Sequence, residues 1–382
     1  MNSTIKRPLA SSLIPIALLI MLLGFVPTNL ATAQATKKVD QMKKQTEEKQ
    51  TEEKQTEEKA SDDKQLWCTF EGKEGPGAGK HIVLISGDDE YRSEQTMPML
   101  GKILAVRHGF KCTVLFAIDP SNDTIKPNHQ TNIPGMEAID DADLLILGLR
   151  FRNLPDEQMK HFVDYLDAGK PMIGTRTTTH AFSYPKDSKS AYKHFSFNSK
   201  DENWVGGFGQ QVMGDTWVSH HGSHGKQSAR GMIADGQKDN PILKGVTDVW
   251  GPSDVYGIKN LPESATVLLR GAVLKGMSSD DKPIEGKKND PMMPVAWTKG
   301  FKSKSGKENR IFCTTMGAST DFESEGLRRL IVNAAFWGLE MESSIPDSAN
   351  VEYVDEYRPT AFGFKTFAVG LTPRDYDLKS KE

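Results

Sequence analysis

Short apolar runs and longer stretches of helical spacing take turns along most of this chain. The runs 81–86, 112–116, 144–149 and 171–173 are nearly all apolar, as strands buried on both faces are. Between them lie two helix patterns. The first, 97–107, has Ser93 as its expected cap and Pro98 in its first turn. The second, 155–168, opens on Pro155 with Asp156 and Glu157 behind it and stops at Gly169. Strand-like runs return at 265–269, 293–297 and 310–314, and a last helix over 325–339 places Leu327, Leu330, Ile331, Ala334 and Ala335 on one face. Strands alternating with helices of this length predict an α/β fold with a doubly wound, mainly parallel sheet.

Two regions break the alternation. Residues 183–260 are rich in Gly, His, Trp and Asp with little periodicity, and are predicted to form a long loop-rich insertion over the carboxyl-end face of the sheet. The stretch 351–370 carries Tyr353, Tyr357, Phe362, Phe364 and Phe367 and is predicted to pack back on the domain, which is taken to run from 66 to 373 with 374–382 as a tail. Upstream, 34–65 has almost no apolar side chains and repeats Gln-Thr-Glu-Glu-Lys three times from Gln45 to Lys59, so it reads as a solvated, disordered linker. Before it, Lys6 and Arg7 precede the apolar run 13–26 and small residues suited to cleavage after Ala33 or Ala35. These are the parts of a signal peptide, so the chain is expected to be exported, with no stable membrane span after cleavage.

Charge and cysteine content narrow the classes. The formal net charge is −3, and it becomes about −5 once Lys6 and Arg7 are removed with the leader, which argues against nucleic acid as a partner. Cys68, Cys112 and Cys313 are too few and too scattered for a disulfide framework. The segment after the 81–86 run, Gly87-Asp-Asp-Glu90, has neither the glycines nor the neutrality that phosphate binding asks for, which argues against dinucleotide and P-loop binding.

Four segments carry a resemblance. Gly87-Asp-Asp-Glu-Tyr-Arg92, Gly174-Thr-Arg-Thr-Thr-Thr-His180, Trp250-Gly-Pro-Ser-Asp-Val-Tyr-Gly257 and Thr314-Thr-Met-Gly-Ala-Ser-Thr-Asp-Phe322 resemble the trehalose-utilisation (ThuA-like) family, over roughly 80–339. That family is similar in fold to the class I glutamine amidotransferases, which implies a flavodoxin-like sheet and a link to sugar or glycoside metabolism. In the amidotransferases a nucleophilic Cys follows the fourth strand, and a His with a Glu follows the last. Here the matching positions are Thr175-Arg176 and 316–321, with neither thiol nor His. Nucleophilic catalysis needs a nucleophile beside a base, so glutaminase activity is not expected.

In open α/β sheets ligands sit beyond the carboxyl ends of the strands. That rule gathers the candidate residues. His180, His221, His224, Asp89 and Glu90 are the candidates for acid–base work, and Asp88, Tyr91, Arg92, Arg150, Arg176 and Trp217 for substrate binding, because forked Arg donors and carboxylates suit sugar hydroxyls and aromatic faces stack on sugar rings. The run Ser219-His-His-Gly-Ser-His-Gly225 offers His220 and His224 at i, i+4 spacing, although Gly222 and Gly225 speak against a helix there. The expected function is binding or transforming a small carbohydrate by acid–base chemistry without a cofactor. A non-catalytic binding or scaffold module and a metal-dependent hydrolase using the His220–His224 loop are the alternatives, and homo-oligomerisation stays open.

Overall fold

A computed structural model describes residues 65–379; the leader over 1–33 and the linker over 34–65 lie, Gln65 apart, outside the described residues. The chain order is β1 (Trp67–Phe70), β2 (His81–Gly87), α1 (Ser93–His108), β3 (Lys111–Phe116), β4 (Ile118–Asp119), β5 (Thr124–Ile125), β6 (Leu144–Leu149), α2 (Asp156–Asp167), β7 (Met172–Thr175), β8 (Ala229–Ile233), β9 (Val249–Gly251), β10 (Thr266–Val273), β11 (Met293–Lys302), β12 (Glu308–Thr314) and α3 (Glu325–Gly338). Ten strands form one sheet in the order β1-β3-β2-β6-β7-β12-β11-β10-β8-β9, while β4 and β5 pair separately. The adjacent strands β3, β2, β6, β7 and β12 are mutually parallel. Numbered among themselves they run 2-1-3-4-5, the doubly wound order whose ligand crevice opens where the winding reverses, between β2 and β6.

Two cores cover the two faces. Ile82 and Leu84 of β2 point into one, with Leu100, Ile103 and Leu104 of α1 and Leu327, Leu330 and Ile331 of α3. Val83 and Ile85 point into the other, with Met159, Phe162 and Leu166 of α2. The alternation follows from the two-residue period of a strand, and apolar residues at every position are what a strand covered on both faces requires. The expected helices are present. α3 starts where the Ser324 hydroxyl accepts from the Leu327 N–H (3.2 Å), and α2 starts behind Pro155 with two acids in its first turn.

Four features differ from the sequence reading. The parallel core continues past β12 through antiparallel β11, β10, β8 and β9. Two of these, β8 and β9, come from the 183–260 insertion; β8 is half-exposed and β9 is only three residues long, so neither carries a continuous apolar signature. β1, also unforeseen, closes the opposite edge antiparallel to β3. Ser93 does not cap α1: Arg92 holds that place with φ 63°, and the Ser93 hydroxyl instead accepts from the Gly87 and Asp88 N–H groups (3.1 and 2.9 Å), tying the β2 turn to the helix. The tail does pack back, and it goes on past 373, with Tyr376 stacked on Phe116 (5.7 Å) and Lys102 of α1 paired with Asp355 (2.6 Å).

Because the tail covers α1, even the polar residues of its first turn are buried. Glu94 is 2 % exposed, and neither of its carboxyl oxygens accepts a hydrogen bond from another residue. Burial pushes its carboxyl up to about 8. The folded state therefore keeps a proton that the unfolded chain gives up near pH 4.5, so this group's contribution is present below that pH and is lost as pH rises toward 8. Glu94→Gln is expected to stabilise the protein at pH 8 by about 2 kcal/mol or more relative to its effect at pH 5. Denaturant titration at both pH values reads it, and a gain that shrinks with rising pH would contradict it.

Candidate functional site

The loop after β2 is knotted to the turn after β7. Asp88 Oδ1 accepts from the N–H groups of Glu90 and Tyr91 (2.8 and 3.3 Å), and Oδ2 accepts from the Thr177 hydroxyl (2.7 Å). Its carboxyl is 2 % exposed, and burial raises its pKa. Arg92 is equally interior: it donates to the carbonyls of Asp89 (2.7 Å) and Gly363 (2.8 Å) and to Thr366. Both residues hold loops together and present nothing to a ligand. Arg150, at the end of β6, pairs with Asp89 (3.3 Å) and Glu90 (3.5 Å), and its guanidinium lies 4.4 Å from the Phe151 ring and 4.8 Å from the Phe364 ring.

Arg176 and His180, expected to form a binding floor, are buried as well. Arg176 has φ 40°. It donates to the carbonyls of Asp254 (2.6 Å) and Thr315 (2.7 Å), to the Tyr91 hydroxyl (3.1 Å) and to Asp254 Oδ1 (2.9 Å). Its guanidinium stacks 3.8 Å from the Tyr256 ring and 4.5 Å from the Tyr91 ring. His180 is 3 % exposed and is enclosed by Phe151, Trp217 and Tyr256, with ring centroids 5.0, 5.3 and 6.1 Å away. Burial, then the charges of Arg150 and Arg176, press its pKa well below the ordinary value, so it stays neutral. Trp217 packs between this ring and His220 (5.6 Å). The place that matches the amidotransferase nucleophile therefore carries an internal strut, and Cys68, Cys112 and Cys313 are all buried.

The accessible chemistry gathers around Asp254, which the sequence reading did not single out. Asp254 is 1 % exposed, yet two half-exposed imidazoles reach it: His220 Nδ1 lies 2.8 Å from Oδ2 and His224 Nδ1 lies 3.0 Å from Oδ1. Burial alone would raise this carboxyl, but Arg176 and the two histidines outweigh burial and hold it at about 2. Glu90 faces the same cluster from the β2 loop, with Oε1 3.5 Å from His224 Nε2. Burial raises its carboxyl against the pull of Arg150. From the tail, Phe362 packs on Tyr91 (5.4 Å) and on His224 (5.3 Å), while the Gly363 N–H donates to the Glu90 carbonyl (2.8 Å).

The histidine loop is held by residues that do not join the cluster. The N–H groups of His221 and Gly222 both donate to the Val255 carbonyl, and the His221 ring bonds the Lys288 carbonyl (2.8 Å), which takes it out of the site. A side chain at 222 would come within 3.1 Å of Asp254 Cβ, so glycine is what lets the loop approach. Among the described residues, His220, His224 and Asp254 form one set of potential metal donors, with atoms within 4.8 Å of one another.

Of the expected site residues, Glu90, His224, Tyr91 and Arg150 meet here, with Asp89 behind Arg150. Asp88, Arg92, Arg176, His180, His221 and Trp217 serve as supports. Asp254 and Phe362 were missed. Asp254 stood inside the quoted 250–257 segment without a nearby partner in sequence to mark it, and Phe362 arrives from a tail that only folding brings over the site. Arg176→Met is expected to cost about 3–5 kcal/mol, since it strands Asp254 as a buried, partly unpaired charge. Chemical denaturation measures this, and a loss under about 1 kcal/mol would show the guanidinium to be dispensable.

The family model for ThuA, described as trehalose utilisation, matches residues 83–338. No curated protein matches the chain. Among solved structures, the chain is similar to a thua-like protein from Bacteroides uniformis, with 13 % identity, 70 % of this chain and 95 % of that one covered, and TM-score 0.43. A thua-like protein from Parabacteroides merdae is similar at 14 % identity, 78 % and 99 % coverage and TM-score 0.40. The family match spans all four loops that build the site from strand ends, 87–92, 150–152, 176–180 and 253–257, and the chain belongs to the ThuA, or trehalose-utilisation, family.

Proposed function

We propose that this protein binds and transforms a carbohydrate derivative by proton transfer at the cluster around Asp254. The observation that carries the reading is a carboxylate, 1 % exposed, that orients two half-exposed imidazoles opposite the Glu90 carboxyl. A fixed carboxylate sets the orientation and tautomer of an imidazole, so each ring meets a ligand in a defined state. The two rings form a pole for substrate oxygens. Glu90 is the carboxyl nearest the pole after Asp254 itself and is placed to exchange a proton with a bound hydroxyl or water. Tyr91 and Phe362 supply aromatic faces of the kind that pack against sugar rings. The family description supports the substrate class. The leader-like segment before Ala33 supports export, which would place the reaction outside the cytoplasm; a mature chain beginning at residue 34 or 36 is the expected result of N-terminal sequencing, and an intact Met1 on exported protein would contradict it.

Calorimetry with a panel of neutral and acidic oligosaccharides, followed by product analysis, tests the reading. At least one sugar is expected to bind and be turned over. Glu90→Gln is expected to lower turnover by about 100-fold while affinity changes only a few-fold. Failure of every sugar to bind would overturn the proposal, and binding without turnover would favour a recognition module.

A further inference from the structure

We infer that His220, His224 and Asp254 form a binding site for one divalent transition-metal ion of the zinc, manganese or iron(II) class. The inference rests on the proposed function for the location of the site but not for its substrate. Two imidazoles and one carboxylate are the borderline donors that such ions take, and three protein ligands with the remaining positions open to water is the arrangement of catalytic rather than structural sites. The donor atoms lie within 4.8 Å of one another, and the two Nδ1–carboxylate separations, 2.8 and 3.0 Å, are those of neighbouring ligands around a small ion. The ring centroids are 4.7 Å apart, and about a third of each histidine side chain is exposed, which gives an ion and its waters an approach.

The surroundings fit the same reading. Arg176 spends its side-chain contact with Asp254 on Oδ1, while among the described residues His220 is the only hydrogen-bond donor to Oδ2. Neutral imidazoles binding through Nδ1 need only carry their proton on Nε2, and for His224 the Glu90 carboxylate stands 3.5 Å from that nitrogen. A carboxylate at the outer nitrogen of a ligating histidine is the usual way to fix the ring and raise its basicity. The loop is also held before any ion arrives: the His221 and Gly222 amides share the Val255 carbonyl, and Lys288 donates to Gln227 (2.7 Å) and Ser223 (3.2 Å). Arg150 and Arg176 add opposing positive charge, but each is paired with carboxylates of the same site. A bound ion would take the place of the two Nδ1–Asp254 hydrogen bonds and would supply a pole able to polarise a substrate oxygen or water.

The test is titration of the full chain, freed of metal by a chelator, with zinc chloride and separately with manganese chloride, followed by calorimetry, with cobalt(II) absorption as a spectroscopic check. One ion per chain is expected. The double variant H220A/H224A should weaken binding by about 100-fold or more, with circular dichroism confirming that it is folded, whereas His194→Ala, whose ring packs at a tilt against Trp204 instead, should keep full stoichiometry. Asp254→Asn should abolish the cobalt spectrum. Absence of binding, or binding undiminished in folded H220A/H224A, overturns the site. Sugar binding by the metal-free chain is read separately and bears on the proposed function alone.

Discussion

The pairing of Arg176 with Asp254 is the constraint on which the rest of the site depends. Both groups are withdrawn from water, a state that is tolerable only when each charge is matched and its remaining hydrogen-bonding capacity is used. The guanidinium meets this by donating to two carbonyls, a tyrosine hydroxyl and the carboxylate, while lying between two tyrosine rings. In doing so it fastens the strand-end turn after β7 to the loop after β9 and to the segment after β12. Those three segments are far apart in sequence, and the charge pair fixes their mutual position.

A second buried carboxylate repeats the device one layer away. Asp321 accepts from the N–H groups of Gly317 and Ala318 and from the N–H and hydroxyl of Ser253. Gly317 has φ 151°, and a Cβ there would come within 3.0 Å of Thr175, so the 314–322 loop can lie against the β7 turn only with glycine at that position. The sequence segments that carry the family resemblance are thus bound to one another by buried carboxylates. Their polar character reflects internal wiring as much as ligand contact. This is why an arginine can occupy the position where the related amidotransferase fold has its nucleophile: the exposed imidazoles beside Asp254 come from the histidine loop of the insertion, and the turn holds Asp254 in place.

The tail gives the site its outer wall. Its aromatic residues and backbone engage Tyr91, His224, Glu90, Arg92 and Arg150. The same cover buries the first turn of α1, which explains a helix with polar residues on nearly every side and yet little exposed surface. The charges expected to reach a ligand are largely consumed inside this arrangement, and His220 and His224 are more open than Arg150, Asp89 or Glu90 beside them.

The sequence by itself determined the parallel core. Runs such as 144–149 and the helix pattern at 155–168, which opens on a proline and stops at a glycine, are local signals, and burial on both faces of the sheet writes the strand runs directly into composition. It also pointed to the carboxyl ends of the strands and named Glu90, Tyr91, Arg150 and His224, which the fold brings close to one another. Tertiary structure decided everything that depends on pairing across sequence distance. Strands β8 and β9 are recognisable only through the neighbour they extend, because β8 is half-exposed and β9 spans three residues, too little for a continuous apolar run. The roles of His180 and Arg176 as supports follow from burial, and that of His221 from its ring's bond to the Lys288 carbonyl, none of which residue type encodes. Asp254, the centre of the cluster, lies 30 and 34 residues from the histidines it orients. A carboxylate acquires its function from the charges folded against it, and that information exists only in three dimensions.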